Sequence, residues 1–307
     1  FHYNRHIMRR FKWIMVGFVL VLGIIYASAS WYIMGQALDA DSAPIEQRPS
    51  DLGAAYQEVN FNPRGRSDIK LSGWWLAATD ATATIIWQHG LDSTKDSRLE
   101  VVVGLQRAGF NVLTTDLRGH GESDPAPMGA GLDEQNDILG AIDWLTSAQG
   151  IKTDKIGLMG VSYGASIVLM TASQTPEIRA VLIDSAFAEL TDMIVSEVAD
   201  RTSAPNSIAS LLKPGIALAA KFSRGIDVSA VAPAEAAAQL AYPIAIVHCS
   251  TDERVTIDHG ERIAAAAPED STFVVVDGCE HARASDLEGD AYIRRAAAYF
   301  NSRLGDS

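Results

Sequence analysis

The sequence has little cysteine, with only Cys249 and Cys279 among 307 residues. A chain so poor in cysteine cannot be held together by a network of disulfides, so it must bury a hydrophobic core. Its 48% hydrophobic content suffices for one large core or two modest ones. No group of His, Cys, Asp and Glu has the spacing of metal ligands, so we expect no metal site.

Basic residues are fewer than acidic ones, and the formal net charge is −13. The first twelve residues depart from this, because they contain Arg5, Arg9, Arg10 and Lys12 and no acid. They therefore carry +4, which leaves −17 for the remainder. A body this acidic argues against nucleic acid as a partner.

No charged residue occurs in the 26 residues from Trp13 to Leu38. As a helix they would span about 39 Å, which exceeds the ~30 Å hydrocarbon core of a bilayer. Aromatic residues lie near both ends of the run, as they do at membrane interfaces. The run therefore predicts a single-pass anchor. The positive-inside rule places residues 1–12 in the cytoplasm and the body outside it, in the periplasm or the extracellular space.

Two alternatives to a retained anchor stay open. Ala27-Ser28-Ala29 has the A-x-A pattern of a signal-peptidase site, and cleavage there would give a secreted protein. The apolar run could instead form a buried core helix. We expect a basic stub and transmembrane helix over residues 1–38, a linker over 39–55, and one domain over 56–307.

Short apolar runs alternate with helical segments along residues 56–303. Such alternation predicts an α/β fold, with a mostly parallel sheet and helices on both faces. The predicted strands cover residues 56–61, 69–77, 84–88, 111–115, 155–159, 180–184, 244–249 and 273–277. The predicted helices cover residues 97–108, 132–148, 165–172, 258–267 and 287–303.

The alternation is interrupted between residues 186 and 242, which contain no convincing strand. This segment reads as two or three helical stretches separated by Pro205 and by Pro214-Gly215, with a further stretch over 229–240.

The pentapeptide Gly160-Val161-Ser162-Tyr163-Gly164 lies between a predicted strand and a predicted helix. A direct passage from strand to helix requires a strained backbone at the middle residue and small neighbours. It presents the Ser162 hydroxyl above the sheet edge, at a helix N-terminus that favours negative charge. Ser162 is the candidate nucleophile.

A serine nucleophile needs a base and a group that orients the base. His281 follows the last predicted strand and is the candidate base. Asp252 follows the preceding strand and is the candidate acid, with Asp184 as the alternative. The backbone N–H groups of Leu91 and Tyr163 are the candidate oxyanion donors.

We interpret the other histidines as structural. His89 and His120 lie in turns that we expect them to order, and His248 lies inside a buried strand. His259 follows Asp258 on a predicted helix and is expected to face solvent.

Five motifs in this order resemble those of the α/β-hydrolase family, in its esterase, lipase and acyl-peptidase-like branch. They are WQHGLD at 87–92, DLRGHGES at 116–123, GVSYG at 160–164, STDERV at 250–255 and GCEH at 278–281. The resemblance covers residues 56–303 and implies a serine hydrolase without a cofactor, in which the 186–242 cap covers the site. One departure is Cys249, where many relatives have glycine.

The resemblance and the triad together predict a serine hydrolase of carboxylic esters with an apolar acyl group. A peptidase or amidase, a thioesterase or acyltransferase, and an inactive fold serving as an extracytoplasmic interaction domain are the alternatives. The sequence sets no oligomeric state. It also leaves open whether Cys249 and Cys279 form a disulfide or stay as two buried thiols, because their Cα separation is unknown.

Overall fold

The computed structural model describes residues 2–39, 42–202 and 205–305. The chain divides into two compact units. A helical unit contains the residues up to Leu38 together with Ile194–Val228. A sheet unit contains Asp39–Met193 together with Ser229–Ser307.

Within the described residues, the sheet unit is organised around one sheet of eight strands. The strands are β1 (Gln57–Phe61), β2 (Leu71–Leu76), β3 (Thr84–Gln88), β4 (Asn111–Thr115), β5 (Ile156–Val161), β6 (Val181–Asp184), β7 (Ala245–Cys249) and β8 (Thr272–Val276). Their order is β1-β2-β4-β3-β5-β6-β7-β8. All neighbours from β4 to β8 are parallel, and β2 is antiparallel to both β1 and β4. The strand bounds predicted from apolar runs agree with these to within two residues.

Helices cover both faces of this sheet. They are α2 (Leu99–Arg107), α3 (Gln135–Ala148), α4 (Tyr163–Ser173), α7 (Pro233–Ala238), α8 (Ile257–Ala266), α9 (Ala284–Glu288) and α10 (Asp290–Leu304). Neighbouring residues of a strand enter separate cores, as Leu158 and Met159 of β5 do. Successive side chains point to opposite faces, so a strand buried on both faces is a continuous apolar run.

The helical unit contains a long N-terminal helix, α1 (His2–Leu38), and α6 (Asn206–Arg224); α5 (Leu190–Thr202) leads into it. Among the described residues, α1 is the one helix long and apolar enough to cross a membrane, and the most apolar stretch of 18 residues within Met8–Leu38 has mean hydropathy 2.1. Its apolar side chains from Phe11 to Ile25 are exposed, whereas Ser30 and Met34 are buried. The exposed part of α1 is compatible with a membrane anchor.

Helix α6 continues through Pro214, so the predicted break at Pro214-Gly215 is wrong. Proline lacks the N–H that a helix interior requires and distorts the preceding turn. Here the hydroxyl of Tyr26, on α1, accepts the N–H of Gly215 at 3.0 Å and donates to the carbonyl of Leu211 at 2.9 Å. A side chain distant in sequence thus satisfies the backbone groups that the proline turn displaces.

The predicted closing helix over residues 287–303 is two helices, α9 and α10, separated by Gly289. Gly289 has φ +51°, in the left-handed region that glycine adopts without steric cost and that ends a helix. The break lets α10 take its own direction against α2 and β5.

Candidate active site

Ser162 occupies the junction between β5 and α4. Its φ is +54°, a left-handed value that is unusual for a residue with a side chain. A Cβ atom at Gly160 would lie 2.6 Å from the carbonyl oxygen of Gly164, and one at Gly164 would lie 2.2 Å from that of His89. The two glycines are therefore required by close backbone approach, as the pentapeptide predicted.

The structure brings Ser162, His281 and Asp252 into one line of hydrogen bonds. Ser162 Oγ lies 2.7 Å from His281 Nε2, and His281 Nδ1 lies 2.7 Å from Asp252 Oδ2. Because a carboxylate only accepts, Nδ1 carries the imidazole proton and Nε2 is left to accept the serine proton. This is the geometry of a nucleophile, a base and an orienting acid.

The Asp252 carboxylate is buried and fully bonded. Its Oδ1 accepts the N–H groups of Arg254 at 3.0 Å and Val255 at 2.8 Å, while Oδ2 accepts from His281. These bonds replace the water that a buried carboxylate loses, so the group is held in one orientation.

Cys249 and Cys279 form a disulfide with a Cα–Cα distance of 5.1 Å. It joins the end of β7 to the loop after β8, so it links the segments that carry Asp252 and His281. The carbonyl of Cys279 also accepts from the N–H and the hydroxyl of Thr251, at 3.2 and 2.7 Å. The acid loop and the histidine loop are thus connected by covalent and hydrogen bonds.

The loop after β3 passes beside Ser162. A Cβ atom at Gly90 would lie 3.3 Å from Ser162 Cβ and 3.8 Å from Ser162 Oγ. Leu91 follows Gly90 directly, and Tyr163 opens α4 directly after Ser162. The backbone at Gly90 therefore lies beside Ser162, and each residue predicted to supply an oxyanion donor is the chain neighbour of one of these two residues.

His89 orders this loop. Its Nε2 accepts the N–H of Leu117 at 3.1 Å, so Nδ1 carries the proton and donates to the carbonyl of Gly90 at 2.7 Å. Burial lowers the pKa of His89 to about 3, and the nearby His120 ring, 5.1 Å away between centroids, acts in the same direction. The imidazole is therefore neutral and fixed in one tautomer.

Two other histidines are buried, and the expectation that His259 faces solvent is wrong. His259 Nδ1 accepts the N–H of Ala188 at 3.1 Å, because the loop after β6 folds over α8. Burial lowers its pKa. His248 Nε2 donates to the carbonyl of Val255 at 2.7 Å, next to the Asp252 loop.

Asp184, the alternative acid, does not bond to His281 in this structure. Its carboxylate accepts from the hydroxyls of Ser185 at 3.0 Å and Tyr292 at 2.9 Å. Sequence reasoning missed Ser185, whose hydroxyl bonds to the N–H of Ala282. Its left-handed φ gives no signal in the sequence, so only the Asp-Ser pair at a strand end could have indicated it. In the described part of the chain, no group of three or more His, Cys, Asp and Glu residues is placed to hold a metal ion.

The sheet order, the serine at the strand–helix junction and the histidine after the last strand define an α/β-hydrolase, and the predicted fold is confirmed. The family model of the X-Pro dipeptidyl-peptidases (S15 family) matches residues 24–210. That is more than half of the chain, so the chain belongs to this family of hydrolases.

The chain is also similar to other proteins in sequence and in fold. Protein YfhR of Escherichia coli is 27% identical over 258 residues, 81% of each chain. Protein bem46 of Schizosaccharomyces pombe is 23% identical over 181 residues, 57% of this chain and 59% of that protein. The Pyrococcus furiosus esterase Pf2001 superposes with TM-score 0.72 at 22% identity, over 87% of this chain and 100% of that one. The dienelactone hydrolase of Anabaena variabilis superposes with TM-score 0.59 at 18% identity, over 82% and 99%. At these identities the structural likeness is one of fold.

Proposed function

We propose that the protein is a serine hydrolase that cleaves carboxylic esters through an acyl-enzyme, with Ser162, His281 and Asp252 as its catalytic triad. The observation that carries the proposal is the continuous line of two 2.7 Å hydrogen bonds through His281. Three segments far apart in the chain supply these side chains, and the backbone at Ser162 is strained to present its hydroxyl.

The proposed reaction follows from this arrangement. His281 Nε2 takes the proton of Ser162 as Oγ attacks the acyl carbon, and Asp252 stabilises the resulting imidazolium. The N–H groups of Leu91 and Tyr163, with the N-terminus of α4, stabilise the oxyanion. His281 then gives its proton to the leaving alcohol. In the second half it activates a water molecule that attacks the acyl carbon and releases the acid.

The proposed substrate has an apolar acyl group. The segment 186–242, which we propose to form the cap, is rich in Ala, Leu, Ile and Val, and apolar side chains suit an acyl chain. Two of the superposed hydrolases, the Pyrococcus esterase and the dienelactone hydrolase, carry names of ester chemistry.

A peptidase is the second candidate. The name of the matching family favours it, because that family is described as X-Pro dipeptidyl-peptidase. The same triad can cleave amides, so the two candidates differ in binding and leaving group. We expect p-nitrophenyl esters of short acids to give a burst of p-nitrophenol that is absent in Ser162→Ala. Faster cleavage of an X-Pro p-nitroanilide than of any ester would favour the peptidase instead. Undiminished ester turnover in Ser162→Ala would contradict the proposed triad.

We also propose that α1 is a retained membrane anchor with the catalytic body outside the cytoplasm. Four basic residues precede the apolar run, which favours a cytoplasmic N-terminus. A disulfide near the triad suits an oxidising compartment.

The packing of α1 on α6 supports retention over signal cleavage. Ser30 is fully buried, and a Cβ atom at Gly215 would lie 2.2 Å from its Oγ. Cleavage after Ala29 would remove Tyr26 and leave the N–H of Gly215 and the carbonyl of Leu211 without their partner. We expect the mature protein to keep its N-terminus and to stay with membranes in alkaline carbonate. A soluble product that begins at Ser30 would overturn this.

A further inference from the structure

The end of β6 connects the two segments that carry the nucleophile and the base. The carbonyl of Asp184 accepts the N–H of Ser162 at 2.8 Å. The hydroxyl of the next residue, Ser185, accepts the N–H of Ala282 at 3.2 Å, and Ala282 follows His281 directly. One dipeptide therefore contacts both catalytic segments.

The direction of each hydrogen bond at this dipeptide is fixed. The Ser185 hydroxyl donates to Asp184 Oδ1 at 3.0 Å, and the Tyr292 hydroxyl donates to Oδ2 at 2.9 Å. The carboxylate accepts both of these hydrogen bonds, so the lone pairs of Ser185 Oγ are left to accept the N–H of Ala282. All three side chains are buried, and burial raises the pKa of Asp184 while these two bonds oppose that effect. Water cannot take the place of these partners without an opening of the fold.

Ala282 is held at both of its backbone polar groups. Its N–H binds Ser185, and its carbonyl accepts from the guanidinium of Arg98 at 2.6 Å. Arg98 is in turn paired with Asp286 at 3.1 Å. The backbone of Ala282, the residue after the base, is therefore held in place.

The backbone is strained at three of the four residues of this connection. Ser162, Ser185 and Ala282 have φ of +54°, +56° and +58°, although each carries a side chain. Left-handed backbone at residues other than glycine persists only where surrounding contacts determine it, and such residues concentrate at functional sites. Ser162 is hydrogen-bonded to Asp184 and Ala282 to Ser185, so the dipeptide Asp184-Ser185 fixes the separation of the two loops.

We propose that Ser185, oriented by Asp184 and assisted by Arg98, is a positioning residue that sets the place of His281 against Ser162. This rests on the proposed triad. Asp184 acts here as a hydrogen-bond acceptor for Ser185 and takes no proton from the reaction.

Ser185→Gly tests the proposal without backbone strain, since glycine adopts the left-handed region freely. We expect kcat to fall between about tenfold and a hundredfold with KM little changed, because a displaced base slows chemistry and leaves binding alone. The rate of fluorophosphonate labelling should fall by the same factor, and the low-field NMR signal of the His281–Asp252 proton should broaden. Thr175→Val, which removes a buried hydroxyl two residues beyond the C-terminal end of α4, is the matched control and should change none of these.

Asp184→Asn separates positioning from acid catalysis. Asparagine can still accept from Ser185 through its carbonyl oxygen, so this variant should keep most of its activity and an unchanged pH profile. Asp252→Asn should lose about 10⁴ in kcat, because its single carbonyl oxygen must accept the N–H groups of Arg254 and Val255 and the amide NH₂ then faces His281, which fixes the wrong imidazole tautomer. A loss of that size in Asp184→Asn would overturn the assignment, since it would make Asp184 the acid.

The outcomes separate this inference from the proposed function. Wild-type protein that is labelled at Ser162, together with Ser185→Gly labelled at the same rate, would overturn the positioning role alone. Wild-type protein that takes no label would overturn the triad and the positioning role with it.

Discussion

Reduction of the disulfide between Cys249 and Cys279 gives the sharpest test of how the acid and histidine loops are held. These are the only cysteines in the sequence, so a reductant acts at one place. The bond closes a loop with a sequence separation of 30. Loop-closure entropy for that length amounts to about 3.5 kcal/mol of lost stability at 25 °C.

The loss should appear as a lower melting temperature. A body of about 250 residues unfolds with an entropy of about 0.5 kcal/mol/K, so a loss of about 3.5 kcal/mol lowers Tm by about 7 °C. Activity at room temperature should largely persist, because the bonds from Thr251 to the Cys279 carbonyl and the ladder between β7 and β8 remain.

The assay is thermal unfolding of the full chain in detergent, with and without reductant, followed by a mass measurement of the thiols. The double variant Cys249→Ala, Cys279→Ala is the control, and its Tm should not respond to reductant. An unchanged Tm in wild-type protein whose bond is shown to be reduced would refute the reasoning.

Three other perturbations have defined outcomes. Gly164→Ala would place a Cβ 2.2 Å from the carbonyl oxygen of His89, so we expect a loss of about 1–3 kcal/mol in urea unfolding and most of the esterase rate; wild-type values would contradict it. His89 has a pKa of about 3 when folded against ~6.5 when unfolded, so its stability contribution is complete above ~6.5 and falls by up to about 1.4 kcal/mol per unit toward pH 3. His89→Gln should show a shallower acid slope in urea midpoints, and an identical slope would count against this. Tyr26→Phe should expose α6 to proteolysis near Gly215 at a cost of about 1–3 kcal/mol, whereas Tyr32→Phe, on the exposed side of α1, should not; equal proteolysis of the two would contradict the bridge.

The strands and the sharp turn at Ser162 could be predicted because their causes are local. A buried parallel strand is a continuous apolar run wherever it lies in the chain. The glycines around Ser162 are required because backbone atoms within a few residues or beside the adjacent strand leave no room for a side chain. The pentapeptide shows this requirement directly.

The failures have causes distant in sequence. Proline usually ends a helix, but in α6 the hydroxyl of Tyr26, 185 residues from Leu211, supplies the missing bonds. His259 is buried by a loop 71 residues away, at Ala188. No local pattern carries information about either contact.

Whether the two cysteines form a disulfide could not be predicted, for a related reason. Cys249 ends one strand and Cys279 follows the neighbouring strand, yet bond formation depends on a Cα separation that only the packed sheet defines. Ser185 and Ala282 give no local signal either, because their left-handed backbone is imposed by the groups that they bind.

The acyl-enzyme itself is the most direct measurement of the central proposal. Protein mixed with p-nitrophenyl acetate and quenched in acid during the burst should gain one acetyl group, and peptide mapping should place it on Ser162. The same experiment on His281→Ala should give little adduct. An acetyl group on any other residue, or full turnover with no adduct at all, would contradict a mechanism in which this serine carries the acyl group.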